Sequence, residues 1–258
     1  MEDFVSAVRF REGVAWFGVF DGHGGAGTSG FASKRIPELL FASDTINPFN
    51  WRTEAQKSLS WAYTQAHEEW KTQHKDDGST AVTVLLVACG GGAADKGGQS
   101  AGEPMLKILV ANVGDSRAVL CFDDHCEDLS LDHKPTREDE KERIENLGGE
   151  IVFYKGAWRV EKILAVTRAL GDVHLYPFVI PTPDFREVFV PRNQQDAKYI
   201  ILASDGLWDV LTSKEASQMI RGCSALKAAN ILCSAALDRG STDNITAVVI
   251  ELSSLFGQ

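Results

Sequence analysis

Short apolar runs recur along the whole chain, at 3–10, 14–20, 79–89, 106–113, 117–122, 150–154, 163–167, 186–190, 199–204 and 244–251. Several are continuous rather than alternating, as in strands covered on both faces. Helical periodicity falls between them. In 53–74, Leu59, Tyr63, Ala66 and Trp70 recur at steps of three and four and make one apolar stripe. Pro135-Thr136 announces a second helix: Thr136 caps it, acids fill the first turn, Ile144 and Leu147 point inward, and Gly148-Gly149 stops it. Segments 213–221 and 224–238 read as a helix pair opening at Ser213 and Ser224. The glycine-rich stretch 90–104 lies between two strands and reads as a hairpin loop, not a linker. Strands at both ends with helices between predict a single α/β domain over 1–258, with sheet packed on sheet and helices outside.

Composition narrows the setting. With 44% apolar and 24% charged residues, the chain has the make-up of a soluble globular protein. Its longest apolar stretch, near 79–89, contains Ser79, Thr80 and Thr83 and is strand-length, so no membrane span is expected. MEDFVSAVRF carries acids early and lacks the apolar centre of a secretory signal. A cytoplasmic or nuclear setting is the resulting default. The net charge of −10 argues against nucleic acid as a partner. Positive charge for handling phosphate would then be local, from bound metals or a few arginines. The five cysteines form no CxxC pair and read as reduced and structural. No His/Cys cluster completes a zinc site around Cys121 and Cys126.

Four aspartates sit at the ends of apolar runs beside glycine, serine or asparagine. They are Asp21 in WFGVFDGHGG, Asp115 in LVANVGDSR, Asp205 in YIILASDGLWD and Asp243 in STDNITAVVI. Each has an ordinary alternative: a glycine-rich turn at Asp21, a β-hairpin turn at Asp115, plain turns at Asp205 and Asp243, a helix cap at Asp209. Glu2-Asp3, taken alone, reads as a solvated terminus. Together, ends of strands that share one core suggest carboxylates converging on hard cations such as Mg²⁺ or Mn²⁺. With no opposing Lys or Arg, such a cluster repels itself, and divalent cations remove that cost. Two metals can lower the pKa of a bridging water and stabilise charge on a displaced phosphoryl group. His23 could then protonate the leaving oxygen. GxxxxGK[ST], GxSxG and HExxH are all missing, against P-loop hydrolases, serine hydrolases and zincins.

At these residues the chain resembles the metal-dependent, type 2C family of protein serine/threonine phosphatases. The matching motifs are MED (1–3), FGVFDGHGG (17–25), GSTAV (78–82), ANVGDSR (111–117), LDHKP (131–135), GGEI (148–151), LAVTRALGD (164–172), ILASDGLWDV (201–210) and STDNIT (241–246). The resemblance implies a four-layer αββα fold, a central antiparallel β-sandwich flanked by helices, with the metal site at one end. It implies that Asp21 bridges two Mn²⁺ or Mg²⁺ ions, that the Gly22 carbonyl binds one, and that Asp205 and Asp243 are further ligands. Glu2 and Asp3 match acids that reach the metals directly or through water. Asp115, with Asp205, matches the site of a weaker third ion. His23 matches the general acid, Asp209 a holder of metal-bound water, and Arg168 a structural anchor. The implied activity is one-step hydrolysis of phosphoserine and phosphothreonine in proteins, without a phosphoenzyme, by a monomer.

Departures from the family pattern bear on that expectation. The family's phosphate-gripping arginine lies a few residues before MED, and this chain begins at Met1; Arg9 and Arg11 lie downstream and do not match it. A bidentate arginine clamp is strong and directional, so weaker substrate binding and a less stable sheet edge are expected. The flap stretch between Asp172 and Arg186 is short and holds Pro177, Pro181 and Pro183. VEK (160–162) stands where the family often has VNG. Two other readings are a pseudophosphatase that binds a partner without chemistry and a hydrolase of a small phosphorylated metabolite.

Overall fold

A computed structural model describes residues 1–11, 13–42, 51–73, 76–89, 105–191, 193–194 and 196–255. Its elements are Phe4–Arg11 (β1), Val14–Phe20 (β2), Gly22–His23 (β3), Gly27–Phe41 (α1), Trp51–Lys71 (α2), Gly78–Ser79 (β4), Ala81–Cys89 (β5), Met105–Val113 (β6), Arg117–Phe122 (β7) and Cys126–Asp128 (β8). They continue with Glu138–Asn146 (α3), Ile151–Tyr154 (β9), Ala157–Val160 (β10), Leu170–Gly171 (β11), Asp184–Pro191 (β12), Ala197–Ala203 (β13), Asp205–Trp208 (α4), Ser213–Met219 (α5), Ala225–Asp238 (α6) and Ala247–Glu251 (β14).

Strand alternation explains why the runs are apolar throughout. Along β5, Ala81, Leu85 and Val87 enter one core while Val82, Val84 and Leu86 enter another. The first core joins the sheet β1-β2-β5-β6-β12 to α1 and α2 through Ile36, Leu40, Leu59 and Tyr63. The second lies between that sheet and β14-β13-β7-β8, where Leu120, Ile200 and Leu202 meet Val84 and Ile108. On the outer face of the second sheet, Val119 and Ile201 pack against Ala216 of α5 and Leu232 of α6. The layers are therefore helix, sheet, sheet, helix, as the resemblance implied. A smaller lobe, built on α3 and the β9–β10 hairpin, has its own cluster of Ile144, Val160, Val166, Leu175 and Val179.

Several local expectations are corrected. The run 163–167 is not a strand; Leu164 makes one isolated bridge to Val160, and Glu161 and Lys162 at φ 53° and 62° turn the chain there. In α3 the cap position is Arg137, not Thr136, and Leu147 is 51% exposed because the helix has ended and Gly148 N and Gly149 N bond back to Glu145 O and Ile144 O. α5 is opened by a capping box between Thr212 and Glu215, one residue before Ser213. Ser224 holds the cap position of α6 without a side-chain bond. Helix α1 was not anticipated. Strands β5 and β6 pair antiparallel with Cys89 opposite Met105, and the loop 90–104 between them lies outside the described residues.

Candidate metal centre and active site

Strand direction gathers the acids. β2 and β6 both run antiparallel to β5, which lies between them, so Asp21 and Asp115 leave the sheet at one edge. β13 and β14 are antiparallel neighbours, so Asp205 emerges beside the loop holding Asp243. Residues 114–116 do not form a hairpin turn: β6 pairs with β5 and β12, β7 with β13 and β8, and the segment crosses between the sheets. That crossing is fastened by the hydroxyls of Thr80 and Ser116, 2.7 Å apart. The first residues are docked rather than solvated. Glu2 N donates to Asn244 Oδ1 at 2.8 Å, Ser29 Oγ to Glu2 O at 2.6 Å, and Ser204 Oγ to Asp3 Oδ2 at 3.0 Å.

Asp3 and Asp115 are buried, Glu2, Asp21, Gly22, His23 and Asp205 half-buried, and Asp209 and Asp243 exposed at the rim. Burial pushes the Asp21 carboxyl up to about 10, helped by the charges of Asp205, Asp3 and Asp115 and a hydrogen bond shared with Asp205. Asp205 is raised to about 7, by burial and then by Asp115 and Asp209. Burial also raises Asp115, against the pull of Lys134. One correction follows: the cluster does have an opposing cation. Lys134 Nζ donates to Asp115 Oδ2 and stands 3.8 Å from Asp209 Oδ1. Asp243 accepts from Asn244 N at 2.7 Å and adds to the charge felt by Asp205.

Whether these residues suit a hard cation can be judged from their unmet needs. Asp3 Oδ1 is buried without a hydrogen-bond partner. Asp21 and Asp205, from different sheets, are close enough to share a proton. Gly22 has no room for a side chain, since a Cβ would lie 2.5 Å from Ser29 Oγ and 2.6 Å from Glu2 O. Among the described residues no three His, Cys, Asp or Glu side chains converge tightly enough to enclose an ion alone. A cation here would complete its shell with carbonyls and water, the habit of Mg²⁺. On that chemistry the residues fit.

His23 lies two residues past Asp21. Its Nε2 is 2.7 Å from Asp172 Oδ2. Burial pulls the imidazole down, but the bond and charge of Asp172, with Asp115 and Glu2, leave it raised overall. Arg168 stands apart from the acids, bound to Glu140 at 2.6 Å, Asp184 Oδ1 at 2.8 Å and Thr182 O at 2.9 Å.

The sequence model described as protein phosphatase 2C matches residues 4–245. The chain belongs to the protein phosphatase 2C family. "Probable protein phosphatase 2C 59" of Arabidopsis thaliana is 39% identical over 262 residues, covering 98% of this chain and 76% of its own length. "Probable protein phosphatase 2C 32" of Oryza sativa subsp. japonica is 37% identical over 246 residues, covering 93% of this chain, which spans only 58% of that relative's length. Among solved structures, a serine-threonine phosphatase 2C from Toxoplasma gondii aligns with TM-score 0.77 at 24% identity, over 97% of this chain and 90% of its own. A C. elegans sex determining protein aligns with TM-score 0.79 at 23% identity, over 99% of this chain and 63% of its own. At such identities the structural likeness is one of fold. Membership in the protein phosphatase 2C family makes this a protein phosphatase domain, a hydrolase of the metal-dependent class.

Sequence reasoning passed over Lys134 and Asp172. Both lay inside motifs already quoted, LDHKP and LAVTRALGD, but their partners are 19 and 149 residues away. Asp77 was also missed. Its Oδ2 accepts from Gly27 N at 2.9 Å and Thr28 N at 3.1 Å, capping α1 from a distant loop.

Proposed function

We propose that this chain hydrolyses phosphoserine and phosphothreonine in protein substrates, in one step and without a phosphoenzyme. Asp21, the Gly22 carbonyl, Asp205 and Asp243 would hold two Mn²⁺ or Mg²⁺ ions, with Glu2 and Asp3 reaching them directly or through water. Asp115 with Asp205 would take a weaker third, and Asp209 would steady water at the rim. The observation that carries this reading is the half-buried Asp21–Asp205 pair, brought together from two sheets and pushed to about 10 and about 7. When bound, divalent cations acidify an attacking water and offset charge on the phosphoryl group. The chain's own groups do the rest. Asp21 and Asp205 give up their shared proton on binding, Asp3 gains a partner for Oδ1, and His23 supplies a proton to the departing seryl or threonyl oxygen. Arg168 keeps the small lobe against the start of β12. The expected partner is a phosphoprotein, met by a monomer in the cytoplasm or nucleus. Among the described residues no helix is long and apolar enough to cross a membrane.

The test is hydrolysis of a phosphothreonine peptide with Mn²⁺, with Mg²⁺ and with EDTA, beside Asp21→Ala and Asp205→Ala. Turnover should need metal and fall at least about a hundredfold in either variant, since even an outer partner of a ligand can cause that loss. Unchanged turnover in Asp21→Ala would falsify the mechanism. Metal binding without turnover would favour a binding module, and preference for free phosphate esters a metabolite hydrolase.

A further inference from the structure

A small sheet has three strands of two residues each, in the order β11-β4-β3. Gly78 is its centre, in register with His23 on one side and Gly171 on the other. The side chains of His23 and Asp172 meet over this glycine. A Cβ at Gly78 would lie 2.0 Å from Asp172 Oδ2 and 2.3 Å from His23 Nε2, so any other residue there would separate them. β4 and β11 are thus shaped around a single contact.

Asp172 is placed for that contact by its own backbone and its neighbour's. It is 3% exposed and adopts φ 47°, ψ 38°, a left-handed conformation that aspartate tolerates better than most non-glycine residues. Asp172 N donates to Asp77 O at 3.3 Å, and the preceding Gly171 N donates to His67 Nδ1 at 3.3 Å. The same Asp77 caps α1, so helix, loop and Asp172 are fixed together. The bland explanation would be a carboxylate capping the turn Val173–Leu175. That turn receives no side-chain cap bond from Asp172. The carboxylate is given to His23 instead.

We infer that Asp172 is a positioning residue for the phosphatase reaction: it fixes the His23 ring through Nε2 and leaves Nδ1 as the nitrogen that delivers the proton. This rests on His23 acting as general acid. In the step, an oxygen of water bonds to phosphorus as the phosphorus–oxygen bond of the phosphothreonine breaks, the departing oxygen takes the Nδ1 proton, and the proton released by the attacking water restores His23. Asp172 touches no reacting atom. Its contribution should therefore depend on how badly the leaving group needs a proton. An alkoxide needs one; a nitrophenolate does not.

The experiment compares kcat for a phosphothreonine peptide and for p-nitrophenyl phosphate in the Mn²⁺-loaded wild type, Asp172→Asn, His23→Asn and the double variant. For Asp172→Asn the ratio of peptide to aryl-ester kcat should fall by about a hundredfold, within the range of general-acid effects. KM should move little, and the double variant should be no slower than His23→Asn. In the metal-free, ¹⁵N-labelled protein, a hydrogen-bonded imidazole N–H assigned to His23 should disappear in Asp172→Asn. Equal losses on the two esters, or additive losses in the double variant, would mean that Asp172 is merely structural. A selective loss in His23→Asn with none in Asp172→Asn would sink this inference alone. No selectivity in His23→Asn would remove the general-acid reading and this inference with it. Should Asp172→Asn not fold, Gly78→Ala separates the same pair and carries the same comparison.

Discussion

Two clusters of acids stand out among the described residues, and they titrate in opposite directions. At the junction of the small lobe, Glu140 is 1% exposed, yet its carboxyl is held at about 2. Burial pushes it up, and hydrogen bonds from Arg168, Arg143 and Thr167 overcome the push. Neighbouring Asp184 is likewise pulled below the carboxylate range, first by its hydrogen bond to His133 and against its burial, with help from Arg168 and Arg137. At the sandwich end, buried Asp115 and half-buried Asp21 and Asp205 lie near the ammonium of Lys134 and are raised. Burial is common to both places. What differs is the positive charge the chain supplies: several arginines at the lobe, and Lys134 at the candidate metal centre. An acid cluster with its own arginines is a structural clip, whereas one left short of cations is poised to bind them.

The sharpest way to break the comparison is to remove the clip. Glu140→Gln leaves Arg143 and Arg168 without their shared carboxylate, and losing one side of a buried ion pair costs about 3 kcal/mol. Urea unfolding should show that loss with or without Mg²⁺. A loss below about 0.5 kcal/mol would place Glu140 among ordinary surface acids and dissolve the contrast.

A pH series should separate the clusters. Glu140 has a lowered carboxyl, so the stability it adds is present above its ordinary value of 4.5 and is lost as pH falls toward about 2. Asp205 is raised, so its favourable state is present below 3.8 and is lost as pH rises through about 7, with Asp21 continuing the loss toward about 10. In EDTA the melting temperature should therefore fall on both sides of a mildly acidic optimum. Mg²⁺ should repair only the alkaline side. Between pH 5 and 8 the gap between Mg²⁺ and EDTA should widen by about 2 kcal/mol after allowing for solvent screening, roughly 6 °C for a domain of this length. A constant gap would mean that binding releases no protons.

The two clusters were unequally visible in the sequence. The strand-end acids stood out because aspartate beside glycine after an apolar run is locally conspicuous, and the both-faces-buried strands revealed the sandwich that gathers them. Glu140 sits in EDEKER, a helical first turn that looks solvated, and Arg168 from a distant loop joins Arg143 of the same helix to satisfy it. The same holds for α1. It starts in a glycine-rich stretch, contains Pro37, and takes its cap from Asp77, 50 residues on, so no local signal announced it. Residues 163–167 failed for the converse reason. Their apolar run was real, but Arg159 Nη1 binds Ile163 O at 2.8 Å in a tight turn that leaves no ladder to join. What escaped at Glu140 and α1 was a partnership across the chain.

Lys134 tests the boundary between the two kinds of cluster, because among the described residues it is the cation hydrogen-bonded to an acid of the candidate metal centre. Burial would lower its ammonium, but the charge and hydrogen bond of Asp115 outweigh this and raise it. Any divalent cation near Asp115 must share that carboxylate with Lys134 or displace it. Lys134→Met should therefore tighten Mn²⁺ binding on the Asp115 side by about tenfold, the value of one nearby charge in a partly solvated site. The residues around Asp21 should change less. Calorimetric titration of the metal-free protein with Mn²⁺ would resolve a strengthened weak phase. A weakened phase would show that Lys134 holds Asp115 in place for the ion rather than competing with it, and the metal centre would then be partly a structural clip as well.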